Sequence, residues 1–482
     1  MGSDPNGDLA SPGHHLNRHQ IVVWCPRHLH LSQYDRTQRW ASGCPLAAVD
    51  RRLDDAHRLW HEAEAAYFDP DAFRLKSQLA IQTLRQITFI LQNQRRRIPD
   101  FDTWYGTQDK DGVWQRRLRD IPLMRWLVEA RNKIEKQGDL EAESFVRAEI
   151  IASHLDEGPR IEVPARLFEG PEALLGRIPA GAVGEHVSAH GTLKIERRWV
   201  ESDLPQFELL DALATAYGHL SELVADAHRQ MGLAPPRTEN HETGERFDAA
   251  ALGWRLPCMI GHEQPRALLL SLADGSRISF ESKHREIDLT GAEERLTERY
   301  GASGIEVLRN AFSGGREGVP KNLFDVARTA FLRDGYHLPF LFLLRDYKPV
   351  KILVTPIENR AQKYLQMRYL AAEVVRYGAD AAISIAEAWM APLAEIKGYQ
   401  SPSEVPTRKE ALGLVMVSKD GEPIQYMAMI ERDGDRVSLG ETFSTRGRPV
   451  WEFAPFYQAW GRPIPQSWTV GVRDAVSGQA PE

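Results

Sequence analysis

One segment, residues 120–144 (DIPLMRWLVEARNKIEKQGDLEAES), constrains the fold more than any other part of the chain. Its apolar residues recur at helical spacing, which predicts an α-helix with one buried face. They are Met124, Leu127, Val128 and Ile134. We expect Asp120 to cap this helix, Pro122 to occupy its first turn and Gly138 to end it in a left-handed conformation. A further helix is predicted at 140–155.

Arg131 lies on the apolar face of this helix, four residues after Leu127 and three after Val128. A buried guanidinium without a partner is strongly unfavourable, so Arg131 needs an ion pair or a ligand. Two interpretations stay open. Arg131 pairs with Glu135 one turn later, which contributes about a few tenths of a kcal/mol if the pair is exposed, or it binds a phosphate through two hydrogen bonds.

Length, charge and hydropathy indicate a multidomain protein of the soluble class. A chain of 482 residues is long enough for two or three domains, each with its own core. The net charge of −7 argues against a surface that binds nucleic acid throughout, and we expect no specific DNA binding. No apolar run approaches the length of a membrane span, so no membrane association is predicted.

Cysteine is rare in this sequence. Cys25, Cys44 and Cys258 are too few and too scattered for a disulfide framework, which favours a cytoplasmic location. Cys25-x-x-His28-x-His30, with Cys44 downstream, contains residues that bind metals, but its spacing matches no standard zinc site. The sequence therefore predicts neither a metal site nor a cofactor.

Changes in periodicity divide the chain into regions. Residues 1–50 are rich in Gly, Pro, His and Arg without periodicity and are predicted to form a flexible extension. Helical stripes continue through 51–232, interrupted at 158–204 by a small β insertion. The polar segment 233–246, with two adjacent prolines, is the predicted linker. Residues 247–482 alternate helix and strand patterns. The predicted fold is a helical bundle followed by a mixed α+β domain.

The second half has specific strand and helix signals. A helix is predicted at 359–377 with Gly378 at its end, and Asp274-Gly275 marks a hairpin. Strands are predicted from β-branched and alternating patterns. They lie at 339–345, 350–355, 380–387, 411–418, 424–430 and 437–441.

At Arg131-Asn132-x-x-x-Lys136, followed by Gly138, the chain resembles the HEPN superfamily of small helical domains. That family carries an arginine, a polar residue and, shortly after, a histidine near a helix end. For the region 51–232 the resemblance implies a HEPN-like bundle that forms a homodimer and binds RNA, a nucleotide or a partner, in defence or stress response. Other HEPN proteins are metal-independent ribonucleases, in which Arg131, Asn132 and Lys136 would hold the catalytic positions.

Lys136 departs from the family pattern, because it stands where HEPN proteins carry histidine. A histidine with a pKa near neutrality exchanges protons with an RNA hydroxyl, whereas a lysine with a pKa of about 10.4 stays charged. Whether the chain is an enzyme is therefore left open. The binding hypothesis predicts phosphate binding without turnover, and the ribonuclease hypothesis predicts cleavage that requires Arg131.

Three further groups of residues are candidates for binding. Arg95, Arg96 and Arg97 end a predicted helix, where cations either stabilise the helix dipole or bind phosphate. Trp104 and Tyr105 either stack on bases or pack in the core.

Charged residues at predicted strand ends form the last group. Glu387 and Trp389 end one strand, and Arg408 and Glu410 open the next. In a cleft, such a carboxylate acts as acid, base or ligand, so an enzyme site in the C-terminal domain is the alternative. A salt bridge from Arg408 to either carboxylate explains the same pattern.

Overall fold

The structure is a computed structural model. It describes residues 34–37, 44–107, 111–140, 142–154, 161–163, 165–166, 168–178, 184–234, 237–240, 246–278, 291–357, 359–396, 401–434, 436–448 and 450–464. Most of the predicted extension 1–50 therefore lies outside the described residues. The candidate ligands Cys25, His28 and His30 lie wholly outside them.

The helices within these ranges are α1 (Ala47–Ala65), α2 (Pro70–Asn93), α3 (Phe101–Trp104), α4 (Val113–Asp120), α5 (Pro122–Gln137), α6 (Pro171–Gly176), α7 (Glu185–His190), α8 (Leu209–Gln230), α9 (Ala292–Arg309), α10 (Gly315–Asp334), α11 (Arg360–Tyr377) and α12 (Ala454–Ala459).

The strands are β1 (Tyr34–Thr37), β2 (Ala142–Ile151), β3 (Ile161–Val163), β4 (Thr192–Glu201), β5 (Arg237–Asn240), β6 (Arg266–Ser271), β7 (Phe340–Arg345), β8 (Lys348–Val354), β9 (Ala381–Met390), β10 (Lys409–Ser418), β11 (Ile424–Asp433), β12 (Arg436–Leu439) and β13 (Phe443–Arg446). The fold is thus mixed α and β, as predicted.

Helices α1, α2, α5 and α8 enclose one apolar core. Asp69 accepts a hydrogen bond from the Ala72 amide and so caps α2, in which Pro70 is the first residue. Gly138 ends α5 with φ of 86°, which confirms the predicted left-handed stop. The prediction that Asp120 caps α5 is wrong. Asp120 is the last residue of α4, and Ile121, in an extended conformation, occupies the cap position of α5.

The predicted helix at 140–155 is also wrong, because most of this segment forms β2. Strand β2 pairs antiparallel with β4 along ten residues. Ala148 and Ile150 lie on the buried face, in a core shared with Leu193 and Ile195. This pairing satisfies the backbone of the segment, and the shared core outweighs its helical propensity. The β insertion consequently begins earlier than predicted.

The four-stranded sheet has the order β3-β2-β4-β6. Its edge strand β6 follows the predicted linker 233–246, yet it pairs antiparallel with β4 and places Leu270 opposite Leu193. Residues from both sides of the linker therefore build one sheet. The division of the chain at 233–246 remains a prediction.

A second antiparallel sheet organises the C-terminal half. Its strand order is β12-β11-β10-β9-β7-β8, with β13 paired to β11. Helix α10 packs on one face, and α11 and α12 pack on the other, so the sheet is the middle of three layers. The predicted helix at 359–377 is confirmed in α11, and Gly378 ends it with φ of 57°.

Within the described part of the chain, no helix combines the length and the apolar character that crossing a membrane requires.

The bundle core gives a stability prediction. Leu127 of α5 is fully buried, whereas Leu79 of α2 is 42% exposed. We expect Leu127→Ala to lower the free energy of unfolding by about 2–5 kcal/mol, since it leaves a cavity. The same substitution at Leu79 should change it by about 0.5 kcal/mol or less. Urea denaturation followed by tryptophan fluorescence measures both. Equal losses would contradict this packing.

Candidate metal centre

The α5 residues that the sequence associates with phosphate are engaged with each other. Arg131 lies 2.7 Å from a carboxylate oxygen of Glu135, one turn later. Arg131 also donates to the side-chain oxygen of Asn132 at 3.1 Å. Lys136 is exposed in the last turn of the helix. This geometry accounts for Arg131 without a ligand.

The arginines after α2 are exposed, and the aromatic pair that follows them is buried. Arg95, Arg96 and Arg97 form a 3₁₀ turn, in which Arg95 pairs with Asp102 at 2.5 Å. Trp104 and Tyr105 belong to the bundle core. Of the two interpretations, packing in the core therefore describes where they lie.

The strand-end residues of the C-terminal half are joined by an arginine that the sequence analysis did not include. Arg432 of β11 lies 3.1 Å from Glu387 and 2.7 Å from Glu410. Glu387 also accepts the backbone N–H of His337 at 2.6 Å. Both acids are therefore paired with the same guanidinium, that of Arg432.

The predicted Arg408 salt bridge is replaced by a cation–π contact. The guanidinium carbon of Arg408 lies 4.8 Å from the ring centroid of Trp389. Strand pairing sets Trp389 opposite Glu410, so all four predicted residues meet at one end of the sheet. There they form ion pairs with Arg432 and a cation–π contact between Arg408 and Trp389.

A group of metal-binding side chains lies inside the bundle instead. His57 and His61 are four residues apart on α1, so both rings project from one face. Their Nε2 atoms are 3.1 Å apart, and the Sγ atom of Cys258 lies 3.2 Å from Nε2 of His57. Cys258 is the middle residue of a 3₁₀ turn, Pro257–Met259. All three ligand atoms lie within 4.8 Å of one another.

Two arrangements satisfy the contact between the two histidine rings: a proton between their Nε2 atoms, or a metal ion bound by both. The Nδ1 atom of His61 lies 2.9 Å from a carboxylate oxygen of Glu64, so it carries a proton. Neutral His61 then points the lone pair of Nε2 at Nε2 of His57. If Nε2 of His57 carries a proton, it donates to that lone pair, and the same nitrogen also lies 3.2 Å from the sulfur of Cys258. A metal ion takes one lone pair from each of the three residues.

Buried groups around the cluster fix the ligands. Arg266 at the start of β6 donates to Glu64 at 2.8 Å and to Nδ1 of His262. The opposite ring nitrogen of His262 donates to the carbonyl of Cys258 at 3.0 Å. His262 thereby holds the turn that presents the sulfur, and Glu64 orients His61, as carboxylates commonly do for metal-bound histidines.

Charge within this network is balanced. Burial raises the pKa of Glu64, but the hydrogen bond from His61 and the charge of Arg266 outweigh it and lower the pKa to about 2. Burial and the charge of Arg266 lower the pKa of His262 to about 4. At neutral pH, Glu64 is ionised and His262 is neutral.

The donor set and its spacing suit zinc. Zinc binds nitrogen at roughly 2.0–2.1 Å and sulfur at about 2.3 Å in a tetrahedron, which sets two nitrogens about 3.3 Å apart and nitrogen and sulfur about 3.6 Å apart. The separations of 3.1 and 3.2 Å are within about 0.4 Å of these values. Imidazole and thiolate are also the ligands that zinc prefers.

These three residues were not predicted as ligands from the sequence. Two patterns of four-residue spacing carried the signal: His57-x-x-x-His61 in a helical stripe and Cys258-x-x-x-His262 after the predicted linker. Each pattern alone is weak evidence for a metal site, since two histidines four residues apart on a helix are also found hydrogen-bonded in a protein core.

Comparison with known proteins identifies one family over most of the chain. A family model described as bacteriophage lambda protein ea47 matches residues 37–477. Protein ea47 of Escherichia phage lambda is 30% identical over 344 residues, which cover 71% of this chain and 78% of that protein. No solved structure matches the chain.

This match overturns the resemblance to the HEPN superfamily. The family model extends across both halves of the chain, whereas the resemblance rested on Arg131, Asn132 and Gly138 and on the helical pattern of 51–232. The physical reason for the error is that Arg131 and Glu135 form an ordinary intrahelical pair, which reproduces part of the HEPN pattern without its chemistry.

Two cations of α5 give a second prediction. Arg131 pairs with half-exposed Glu135, whereas Lys133 lies 3.3 Å from Glu201, which is 1% exposed. We expect Arg131→Ala to lower the free energy of unfolding by less than about 1 kcal/mol. Lys133→Ala should cost more, about 1–3 kcal/mol, because it removes a charge partner of a buried carboxylate. Urea denaturation compares them, and a larger loss for Arg131→Ala would contradict these contacts.

Proposed function

The chain belongs to the bacteriophage lambda protein ea47 family, and we propose that it is a zinc-binding protein whose ion is held by His57, His61 and Cys258. The convergence of these three ligand atoms within 4.8 Å of one another carries the proposal. The hydrogen bond from His61 to Glu64 and that from His262 to the Cys258 carbonyl support it, since both fix the orientation of a ligand.

Three protein ligands leave the fourth coordination position of the ion open, and the position of the cluster favours a structural role. His57 is 5% exposed, and Cys258 packs against the apolar bundle core. Cys258 lies 201 residues after His57. The entropy lost on closing a loop rises only slowly with its length, so even this long loop costs little more to close than a short one. Binding of the ion then stabilises the contact between α1 and the 257–259 turn.

Metal content tests this proposal. We expect His61→Asn to contain one zinc ion fewer per chain than the wild type, since it removes one of three ligands. The matched control is His219→Asn, because His219 is a half-buried histidine on α8 whose charged neighbours include Arg117 and Glu222. Elemental analysis of desalted protein, together with thermal unfolding with and without EDTA, measures content and stabilisation.

Two results would contradict the zinc proposal. One is a wild-type protein that contains no zinc and takes up none when titrated with Zn²⁺. The other is an equal loss of zinc in both histidine variants. The first would leave hydrogen bonds from His57 to His61 and from His61 to Glu64 as the explanation of the cluster.

A second candidate function is binding of single-stranded RNA on the α2–α5 surface. Phe89 exposes 42% of its surface. The guanidinium carbon of Arg85 lies 5.1 Å from its ring centroid, and that of Arg131 lies 5.7 Å away. An exposed ring beside two guanidinium groups suits a base and its phosphate. A cytoplasmic location and homodimer formation remain predictions on which this proposal does not depend.

RNA affinity distinguishes this surface from an ordinary exposed side chain. We expect Phe89→Ala to weaken binding of a fluorescent single-stranded RNA by about tenfold, since stacking contributes roughly 1–3 kcal/mol per base. Leu79→Ala is the control, because Leu79 is equally exposed on the same helix. Fluorescence anisotropy in EDTA measures both. Equal affinity of the two variants would refute the stacking surface.

A further inference from the structure

Helix α1 carries a second group of ligand atoms, two turns before His57. Asp50 lies in its first turn, Cys44 precedes it, and His228 near the end of α8 packs against both. The Nε2 atom of His228 is 3.2 Å from Oδ2 of Asp50 and 3.7 Å from Sγ of Cys44. Asp50 and His228 are buried, at 3% and 4% exposure.

The ring orientation of His228 is fixed by its own helix. Its Nδ1 atom lies 2.8 Å from the carbonyl oxygen of Val224, four residues earlier. A carbonyl only accepts, so Nδ1 carries the proton. In the neutral ring, the Nε2 lone pair then faces the Asp50 carboxylate and the Cys44 sulfur. This contact repels unless a proton or a metal ion lies between the atoms.

A proton satisfies this arrangement only in part. An imidazolium has a single Nε2–H, which points at one acceptor. The Oδ1 atom of Asp50 is buried and lacks a hydrogen-bond partner in the described part of the chain. Such an atom is costly to bury. A cation compensates the whole carboxylate and also engages the sulfur.

The two separations from His228 agree with zinc, and the third pair of ligand atoms lies within 4.8 Å. For tetrahedral zinc, nitrogen and oxygen lie about 3.3 Å apart and nitrogen and sulfur about 3.6 Å apart. The separations of 3.2 and 3.7 Å are within about 0.1 Å of these values. We propose that Cys44, Asp50 and His228 form a second zinc site, separate from the cluster at His57, His61 and Cys258. Its ion would join the start of α1 to the end of α8.

Metal stoichiometry of the full chain tests the second site separately from the first. Cys44→Ala and Cys258→Ala are compared with the wild type and with the double variant, after incubation with Zn²⁺ and desalting. We expect each single variant to lose one zinc ion per chain and the double variant to lose two. Native mass spectrometry counts the ions on folded protein, so an unfolded variant is recognised by its charge states.

The outcomes separate the two sites. Unchanged zinc in Cys44→Ala would overturn the second site and leave an Asp50–His228 ion pair, whereas a loss in Cys258→Ala would still support the first. Unchanged zinc in Cys258→Ala would overturn the first site alone. Co²⁺ gives an independent readout: each cysteine substitution should remove about half of the thiolate-to-cobalt absorption of the wild type. Full absorption in Cys44→Ala would also overturn the second site.

Discussion

The ion pair between Glu64 and Arg266, which is largely shielded from solvent, connects the helical bundle to the four-stranded sheet. Glu64 ends the ligand-bearing face of α1, and Arg266 is the first residue of β6. Breaking a buried pair leaves a charge without compensation, which is far more costly than losing a surface pair. Through Glu64 the pair orients His61, and through His262 it holds the turn of Cys258. The proposed metal centre therefore depends on it.

Ion pairs at the surface and polar clusters inside the bundle differ in what they indicate about function. Arg131 with Glu135, and Arg432 with Glu387, pair at the surface, where water and salt weaken them. Inside the bundle, imidazole, thiol and carboxylate groups meet with few alternative partners. A buried polar group requires a hydrogen bond or a ligand, so these clusters, rather than the surface pairs, indicate a site.

Local signals predicted much of the fold and little of the site. Helix α2 was predictable because Asp69-Pro70 starts it, and Gly378 marked the end of α11. Strand β2 was not, since its state is decided by pairing with β4 about 50 residues later. The ligand cluster joins α1 to Cys258, 201 residues away, and no local pattern specifies such a contact.

We propose that metal ions, and not protons, join the ligand atoms of the two clusters that α1 contributes to. X-ray absorption at the zinc edge of the purified wild-type protein tests it most directly. We expect a first coordination shell with sulfur at about 2.3 Å beside nitrogen or oxygen at roughly 2.0–2.1 Å. A shell of oxygen alone, typical of zinc adsorbed at surface carboxylates, would contradict the claim, as would protein without zinc after saturation and desalting.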